Sequence, residues 1–204
     1  MILSASQIAK RMRRDREEHK EDPLIISPVP EPGMTEKSGM ASVDLRLGTW
    51  FLVMRHTDVP ALDLSNEVAE ETLGTSHYVA FGRQFILHPG CFVLGVTLEW
   101  IRLPKDLAAY IVGRSTLGRR GLIIATAAGV HPTYTGCLTL ELTNVGEVPV
   151  IIRPGMAICQ LFIHTVQSDP DANFPPTYSC SRKPTLGKVA PDRIAKQLAQ
   201  ARDV

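Results

Sequence analysis

The sequence lacks the features that mark membrane and secreted proteins. It contains no run of eighteen apolar residues, and its first 22 residues include no apolar core of the signal-peptide type. We therefore expect neither a membrane-spanning nor a secreted protein. The formal net charge is only +1, so a broad basic surface for nucleic acid is not expected either.

Cysteine is scarce, and no other metal-site pattern replaces it. The four cysteines (Cys91, Cys137, Cys159 and Cys180) form no C-x-x-C pair, which excludes a zinc ribbon and a dense disulfide framework. None of the six histidines belongs to an H-x-x-x-H or H-E-x-x-H pair, and the H-x-E with P-C-x-x-C signature of zinc deaminases is absent. The sequence thus predicts reduced thiols, a cytoplasmic location, and neither structural nor catalytic zinc.

What is present fits one globular domain of 204 residues, 44% hydrophobic and 21% charged. We expect an N-terminal helix within residues 1–22, capped by Ser4, and a proline-rich extended loop over residues 23–40. A β-rich core follows over residues 41–166. Residues 167–204 are predicted to form a flap and a short C-terminal helix that Asp192 caps.

The core consists of short β-type runs separated by turns. The runs are SVDLRL, WFLVM, YVAF, QFILH, CFVLGVTLEWIRL, AAYIV, LIIAT, CLTLELT, VPVIIR and ICQLFIHTV. Many short strands with glycine, proline and asparagine turns favour an all-β barrel or sandwich. No helical crossover separates the runs, so a Rossmann sheet is not expected.

Residues 113–121, GRSTLGRRG, have the composition of an anion-binding loop. Arginine forks can grip phosphate oxygens, the hydroxyls of Ser115 and Thr116 add donors, and glycines let backbone N–H groups approach closely. The spacing is not that of a Walker loop. A surface turn that arginines keep soluble fits the same pattern, and the residues alone leave both interpretations open.

Glu141 is the carboxylate that stands out. In Leu-Thr-Leu-Glu-Leu-Thr over residues 138–143, alternation puts the leucines on one face and Thr139, Glu141 and Thr143 on the other. A solvated strand carboxylate is the ordinary interpretation of this pattern. If the face lines a pocket, partial desolvation would raise the glutamate pKa and suit it to general-base work.

Several long motifs, in order, resemble the dCTP deaminase family of the trimeric dUTPase-like superfamily. They are ASVDLRLG at 41–48, LHPGCFVLGVTLEWIRLP at 87–104, GRSTLGRRGL at 113–122, TAAGVHPTYTG at 126–136, LTLEL at 138–142 and RPGMAICQL at 153–161. The resemblance implies a distorted jelly-roll-type β-barrel (dUTPase-like). It also implies a homotrimer with active sites between subunits.

The resemblance further implies hydrolysis of dCTP to dUTP and ammonia without zinc, with magnesium accompanying the triphosphate. Glu141 would be the general base, and Arg119 and Ser115 would join it in catalysis. The other substrate-binding residues that the family pattern implies are Arg114, Thr116, Leu117, Gly118, Thr126, Ala127, His131, Tyr134, Thr139, Leu140, Tyr178, Ser181 and Lys183. Within this set, residues 114–119 would hold phosphates, Thr126 and Ala127 would read the pyrimidine, and Tyr134 would lie near the sugar.

Three departures from the family pattern bear on function. His131 stands where relatives have a sugar-contacting aspartate, the flap retains Tyr178 but lacks its lysine and second glutamine, and residues 23–39 form an insertion. Two alternatives therefore accompany the deaminase hypothesis. One is a dUTPase or a bifunctional deaminase and diphosphatase, and the other is a nucleotide-binding trimeric regulator without turnover.

Overall fold

Antiparallel strands make up most of the computed structural model. It describes residues 1–17, 21–30, 40–55, 61–64, 69–125, 129–167, 180–187, 194 and 197–198. The strands are β1 (Ile25–Ser27), β2 (Val43–Arg46), β3 (Trp50–Met54), β4 (Gly74–Tyr78), β5 (Phe85–Leu87), β6 (Phe92–Arg102), β7 (Leu107–Gly113), β8 (Leu122–Ile124), β9 (Gly129–Val130), β10 (Thr135–Asn144), β11 (Val150–Ile152) and β12 (Ala157–Thr165).

Two larger sheets and one strand pair form around a common core. The larger sheets have the orders β4-β3-β6-β10-β8, with β1 also on β6, and β2-β12-β7-β9; β11 pairs with β5. Alternate side chains of both sheets form one buried apolar cluster that includes Leu45, Phe51, Leu140 and Leu161. The predicted all-β class is confirmed. Among the described residues the strand orders keep open edges, so the fold is a distorted jelly roll rather than a fully closed barrel.

The N-terminal helix α1 (Ala5–Glu17) begins at a capping box. The backbone N–H of Gln7 donates to the Ser4 hydroxyl at 3.3 Å, and the N–H of Ser4 donates to the Gln7 side chain at 2.8 Å. The helix buries Ile8 and Met12 against the core, as their four-residue spacing predicts. Two shorter helices follow, α2 (Glu70–Leu73) and α3 (Ser115–Gly118).

The structure corrects several local expectations. The segment expected to be loop over residues 23–40 contains β1, which pairs with β6 because Leu24 and Ile26 are buried in the core. The strand expected at 78–81 lies earlier, at β4, and β9 was not predicted. The expectation for the flap at 168–179 lies outside the described residues. Of the expected C-terminal helix, Ile194, Gln197 and Leu198 are described, and they are helical.

Two further observations concern the whole described part of the chain. Its helices include none that is long and apolar enough to span a lipid bilayer. All four cysteines are free thiols, with Cys137 and Cys159 buried and Cys91 and Cys180 exposed.

Candidate functional site

The strand β10 presents Glu141 on its partly exposed face. Leu138, Leu140 and Leu142 are buried, whereas Thr139 and Glu141 are half-buried, as the alternation predicts. The strand is held on one side by β6, where Glu141 faces Leu94, and on the other side by β8. Because β10 has a hydrogen-bonded neighbour on each side, the backbone that carries the Glu141 carboxylate is held in a fixed position.

The backbone of Glu141 also receives the end of the β8 segment. The N–H of Ala125 donates to the carbonyl oxygen of Glu141 at 2.9 Å, one position beyond the pairing of Ile124 with Leu142. Thr126 and Ala127, predicted to read the pyrimidine, lie outside the described residues. Their chain neighbour Ala125 is therefore the structural link between that predicted turn and the candidate base.

The anion loop, residues 113–121, contains one turn of helix that the sequence pattern did not predict. Arg114 precedes α3 in an extended conformation, and the N–H of Arg119 donates to the Ser115 carbonyl oxygen at 2.9 Å. The side chains of Ser115, Thr116 and Arg119 are exposed, whereas Leu117 and Gly118 are half-buried. The guanidinium of Arg120 donates back to the Thr116 carbonyl oxygen at 2.8 Å. Hydroxyl and guanidinium donors thus face solvent from a short, closed turn.

The Arg114 side chain forms an ion pair with a carboxylate on a different strand. Oδ2 of Asp44 lies 3.2 Å from Nη1 of Arg114, and Oδ1 of Asp44 accepts a hydrogen bond from Nε2 of Gln160 at 3.1 Å. Asp44 and Gln160 are cross-strand neighbours on β2 and β12. The two oxygens of one carboxylate therefore join β2, β12 and the start of the anion loop.

The far end of the anion loop is fixed by close backbone packing. Gly121 has φ +87°, and a Cβ there would lie 2.8 Å from the backbone nitrogen of Gly146. The buried amide of Asn144 donates to the carbonyl oxygens of Leu87 and Val148, and its oxygen accepts from the N–H of Gly146. Since β8 pairs Leu122 with Asn144, the loop ends three residues along β10 from Glu141.

His131 and Tyr134 lie in the turn before β10, at its other end. The N–H of Tyr134 donates to the His131 carbonyl oxygen at 3.3 Å, and the imidazole is exposed. The Tyr134 hydroxyl donates to the Cys137 carbonyl oxygen at 2.7 Å. Burial raises the pKa of Tyr134, so this phenol remains a neutral hydrogen-bond donor across the physiological range.

A C-terminal strap, residues 180–187, lies against the same turn. The N–H of Cys180 donates to the Thr135 carbonyl oxygen at 2.6 Å, and the N–H of Cys137 donates to the Ser181 carbonyl oxygen at 3.0 Å. Nζ of Lys183 lies 4.0 Å from the ring centroid of Trp50. Tyr178 lies outside the described residues.

The predicted residues therefore form two groups within one chain. The anion loop and Glu141 lie toward the Asn144 end of β10, whereas Tyr134 and Ser181 lie at its start and Lys183 lies against Trp50 of β3. Six residue steps separate Thr135 from Glu141, which is about 20 Å along an extended strand. Within the described residues, Tyr134 and Ser181 are therefore separated from Glu141 along β10.

The comparisons with known proteins identify the family. A family model described as dCTP deaminase-like matches residues 2–166. The chain belongs to the dCTP deaminase-like family. It is 36% identical over 198 residues to a protein of Haloarcula marismortui named dCTP deaminase, covering 95% of this chain and 97% of that relative. It is 38% identical over 175 residues to a protein of Dictyoglomus thermophilum named "dCTP deaminase, dUMP-forming", covering 85% of each chain.

A solved structure supports the fold. The crystal structure of 2'-deoxycytidine 5'-triphosphate deaminase from Agrobacterium tumefaciens matches with a TM-score of 0.57 and 21% identity. The match covers 79% of this chain but 46% of that chain, so this chain spans about half of the solved protein. At this identity the likeness concerns the fold alone.

Two residues of this dCTP deaminase-like chain were missed as site residues by the sequence reasoning. Asp44 lies in the ASVDLRLG motif, and Asn144 follows LTLELT, so both positions were within quoted or neighbouring segments. Neither was assigned a role. Asp44 is far from its partner Arg114 in sequence, and nothing in the sequence indicates that Asn144 binds Gly146. The signal that could have found Asp44 is a lone acidic residue inside an otherwise apolar and basic strand.

Proposed function

We propose that this protein is a dCTP deaminase that converts dCTP and water to dUTP and ammonia. The observation that carries the proposal is the placement of Glu141 on a central strand, joined through its carbonyl oxygen to Ala125 and three residues from the end of an arginine-rich loop. Relatives that carry the name dCTP deaminase, covering nearly the whole chain, support the same reaction.

In the proposed mechanism Glu141 accepts a proton from a water molecule as that water attacks C4 of the cytosine. The proton then passes from Glu141 to the departing amino group, which leaves as ammonia, and the carbonyl of uracil forms. Arg114, Ser115 and Thr116 would bind phosphate oxygens, with the backbone at Leu117 and Gly118 lining the same turn. The exposed hydroxyls of Ser115 and Thr116 and the half-buried guanidinium of Arg114 suit a polyanion.

Other predicted residues keep their proposed roles. Arg119 would lie between the phosphates and the base, and Ser115 would assist catalysis from the same loop. Thr139 and Leu140 precede Glu141 on β10 and would line the base. Thr126 and Ala127 would read the pyrimidine edge, and the described link from Ala125 to Glu141 supports a position close to the candidate base.

We further propose a homotrimer in which each site is shared between subunits. Support comes from the separation of Tyr134 and Ser181 from Glu141 along β10, which a neighbouring subunit could bridge. The outer face of the β2-β12-β7-β9 sheet also exposes apolar side chains, with Tyr110 52% and Val112 48% exposed. Exposed apolar side chains of this size on a sheet face are typical of subunit contacts.

Magnesium is proposed to enter with the triphosphate. Within the described ranges, no three His, Cys, Asp or Glu side chains converge as a metal site. Asp44, the carboxylate that contacts the loop at Arg114, also accepts a hydrogen bond from Gln160. Magnesium held mainly by phosphate oxygens and water needs few protein ligands, so these residues fit a metal carried by the substrate. A zinc-independent reaction and a cytoplasmic location remain proposals from the sequence.

A second candidate is a bifunctional enzyme that forms dUMP. Relatives with the name "dCTP deaminase, dUMP-forming" match at similar identity, including those of Dictyoglomus thermophilum and Halobacterium salinarum. That activity would also cleave dUTP to dUMP and pyrophosphate. His131, in place of an aspartate in the family pattern, is exposed next to Tyr134 and would alter contacts to the sugar.

One assay separates these activities. Purified protein is incubated with dCTP, CTP, dCMP or dUTP and magnesium, and ammonia and pyrophosphate are measured separately. Ammonia alone from dCTP supports the deaminase, and ammonia together with pyrophosphate supports the bifunctional enzyme. Tight dCTP binding without either product would support the non-catalytic regulator and contradict the proposal.

A further inference from the structure

A buried carboxylate, Glu99, lies in β6 outside every residue group discussed so far. It is 0% exposed, and its Oε2 accepts a hydrogen bond from the backbone N–H of Arg46 at 2.8 Å. Among the described residues its Oε1 has no hydrogen-bond partner, and Nη1 of Arg46 is 3.9 Å away. One oxygen is thus bonded, and the other faces a guanidinium beyond hydrogen-bonding distance.

Such a group is costly to bury. An ionised carboxylate without a full set of partners destabilises a folded core, and apolar or neutral replacements are often tolerated there. Burial raises the pKa of Glu99, which the Arg46 N–H and charge oppose. An amide oxygen of Gln could accept the Arg46 N–H, but its NH2 group would then face the Arg46 guanidinium, a donor against a donor. The carboxylate therefore needs an explanation other than the pairing of one backbone donor.

The hydrogen bond between Glu99 and the N–H of Arg46 lies beside an irregularity in the pairing of β2 with β12. Ala157 pairs with Arg46 and Cys159 with Leu45, so Ile158 is the extra residue of a β-bulge. The carbonyl oxygen of Ile158 accepts from the N–H of Arg114 at 3.4 Å. Glu99 thus fixes the β2 side of the same bulge that supports the start of the anion loop.

Asp44 lies two residues before Arg46 on β2. The two residues share one face of β2, because side chains two apart in a strand point the same way. Asp44 contacts the Arg114 guanidinium at 3.2 Å. A displacement of β2 at Arg46 would therefore move the carboxylate that orients Arg114.

A second connection leads from the same residue to the strand of Glu141. The hydroxyl of Thr97, which is buried, donates to the carbonyl oxygen of Glu99 at 2.9 Å. The same hydroxyl accepts from the N–H of Leu138 at 2.9 Å, where β10 shifts register against β6 between Cys137 and Thr139. Glu141 follows three residues later on the same strand.

We propose that Glu99 is a positioning residue for the candidate site. Its buried carboxylate holds the β2 corner at Arg46, and through Asp44 it orients Arg114 for the substrate phosphates. The connection through Thr97 uses the main-chain carbonyl oxygen of Glu99 and does not depend on the carboxylate, so the proposed role runs through Arg46 and Asp44. This inference rests on the proposed function for its substrate, although the arrangement of Arg114 can be tested without turnover.

The test compares Glu99→Gln with the wild-type protein in two measurements. The first is the affinity for inorganic tripolyphosphate, determined by calorimetry. The second is kcat and KM for dCTP. We expect Glu99→Gln to weaken tripolyphosphate binding and raise KM by about tenfold, since small displacements of a binding group have effects of this size. Ile8→Val, a buried substitution in α1, is the control and should change neither value.

A double-mutant cycle with Asp44→Asn locates the effect. If Glu99 acts through Asp44, the two substitutions together should weaken tripolyphosphate binding less than the product of their separate effects. Fully multiplicative effects would contradict this route. If Glu99→Gln does not fold, Arg46→Gln removes the facing cation instead, and the same tenfold criterion applies to it.

The outcomes distinguish this inference from the proposed function. Wild-type turnover of dCTP with unchanged constants in Glu99→Gln overturns the inference alone. Wild-type binding of tripolyphosphate without turnover overturns the proposed function, and weaker binding by Glu99→Gln then still supports the positioning role. If the wild-type protein neither turns over dCTP nor binds tripolyphosphate, both are overturned.

Discussion

The backbone N–H of Ala125 donates to the carbonyl oxygen of Glu141 at 2.9 Å. This single bond joins the strand that carries the candidate base to the residue just before the predicted pyrimidine-reading turn. A base and its substrate contact must keep a fixed separation during proton transfer, because general-base catalysis depends on hydrogen-bonding distance. In the proposed mechanism, the β8–β10 pairing holds Ala125 at a fixed distance from Glu141 through backbone bonds.

The first prediction concerns the proton acceptor. Glu141→Gln keeps the side-chain shape but removes the basic group, so ammonia release from dCTP should fall about 10²–10⁴-fold. Binding of dCTP, measured by calorimetry, should change little. Glu147→Gln, in the exposed turn after β10, is the matched control and should retain wild-type turnover. Undiminished ammonia release by Glu141→Gln would rule out the assigned base.

The second prediction concerns the phosphate contacts. Arg114→Gln removes the charge that Asp44 orients, and a lost charge-assisted hydrogen bond is worth about 1.5–3 kcal/mol, or roughly 10–100-fold in KM for dCTP. The effect on dCMP should be much smaller, since it has one phosphate. Arg83→Gln, an exposed arginine in the turn before β5, serves as control. Equal losses for dCTP and dCMP would argue against a role in triphosphate binding.

The third prediction concerns the end of the anion loop. Gly121→Ala places a Cβ 2.8 Å from the backbone of Gly146 at φ +87°, so the loop must shift. We expect a loss of about 1–3 kcal/mol in the free energy of unfolding, measured by denaturant titration. Gly118→Ala has open space around its added Cβ and no positive φ, so its stability should change little. Similar stability of both variants would contradict the close packing at Gly121.

The fourth prediction concerns pH. Because the pKa of Glu99 is raised in the folded protein, this carboxyl favours folding below its unfolded pKa, and that contribution is lost as the pH rises through the folded pKa. Glu99→Gln cannot titrate. The unfolding temperature of Glu99→Gln minus that of the wild type should therefore become larger between pH 5 and pH 8. Each kcal/mol of difference in the free energy of unfolding corresponds to about 2–4 °C. A constant difference across this range would show that Glu99 does not titrate as a buried acid.

The fifth prediction concerns the shared site. Glu141→Gln and Lys183→Ala are expected to be impaired as separate proteins. When the two are co-expressed, mixed trimers should contain some sites with both wild-type groups, and turnover should exceed that of either variant alone. Light scattering should give three times the chain mass. A monomer, or a mixture no more active than the better variant, would contradict subunit sharing.

Much of the fold followed from local pattern. Period-two alternation marked β10, short apolar runs marked β6 and β12, and Ser4 as a capping residue marked the start of α1. The boundaries that failed had weak local signals. The strand β1 is only three residues long and lies between prolines, so its pairing with β6 depends on distant partners. The single helical turn α3 was not predicted, because the glycines and arginines of residues 113–121 give no helical pattern.

The sequence by itself determined the all-β class and the family, because composition, alternation and ordered motifs are properties of the chain alone. It also predicted the anion loop and a base at Glu141. Only the tertiary structure decided that Asp44 contacts Arg114, that Glu99 is buried beside Arg46, and that Ser181 lies against the start of β10. These relationships join residues that are distant along the chain. They arise from strand pairing and β-bulges, whose register is set by the packing of the whole core.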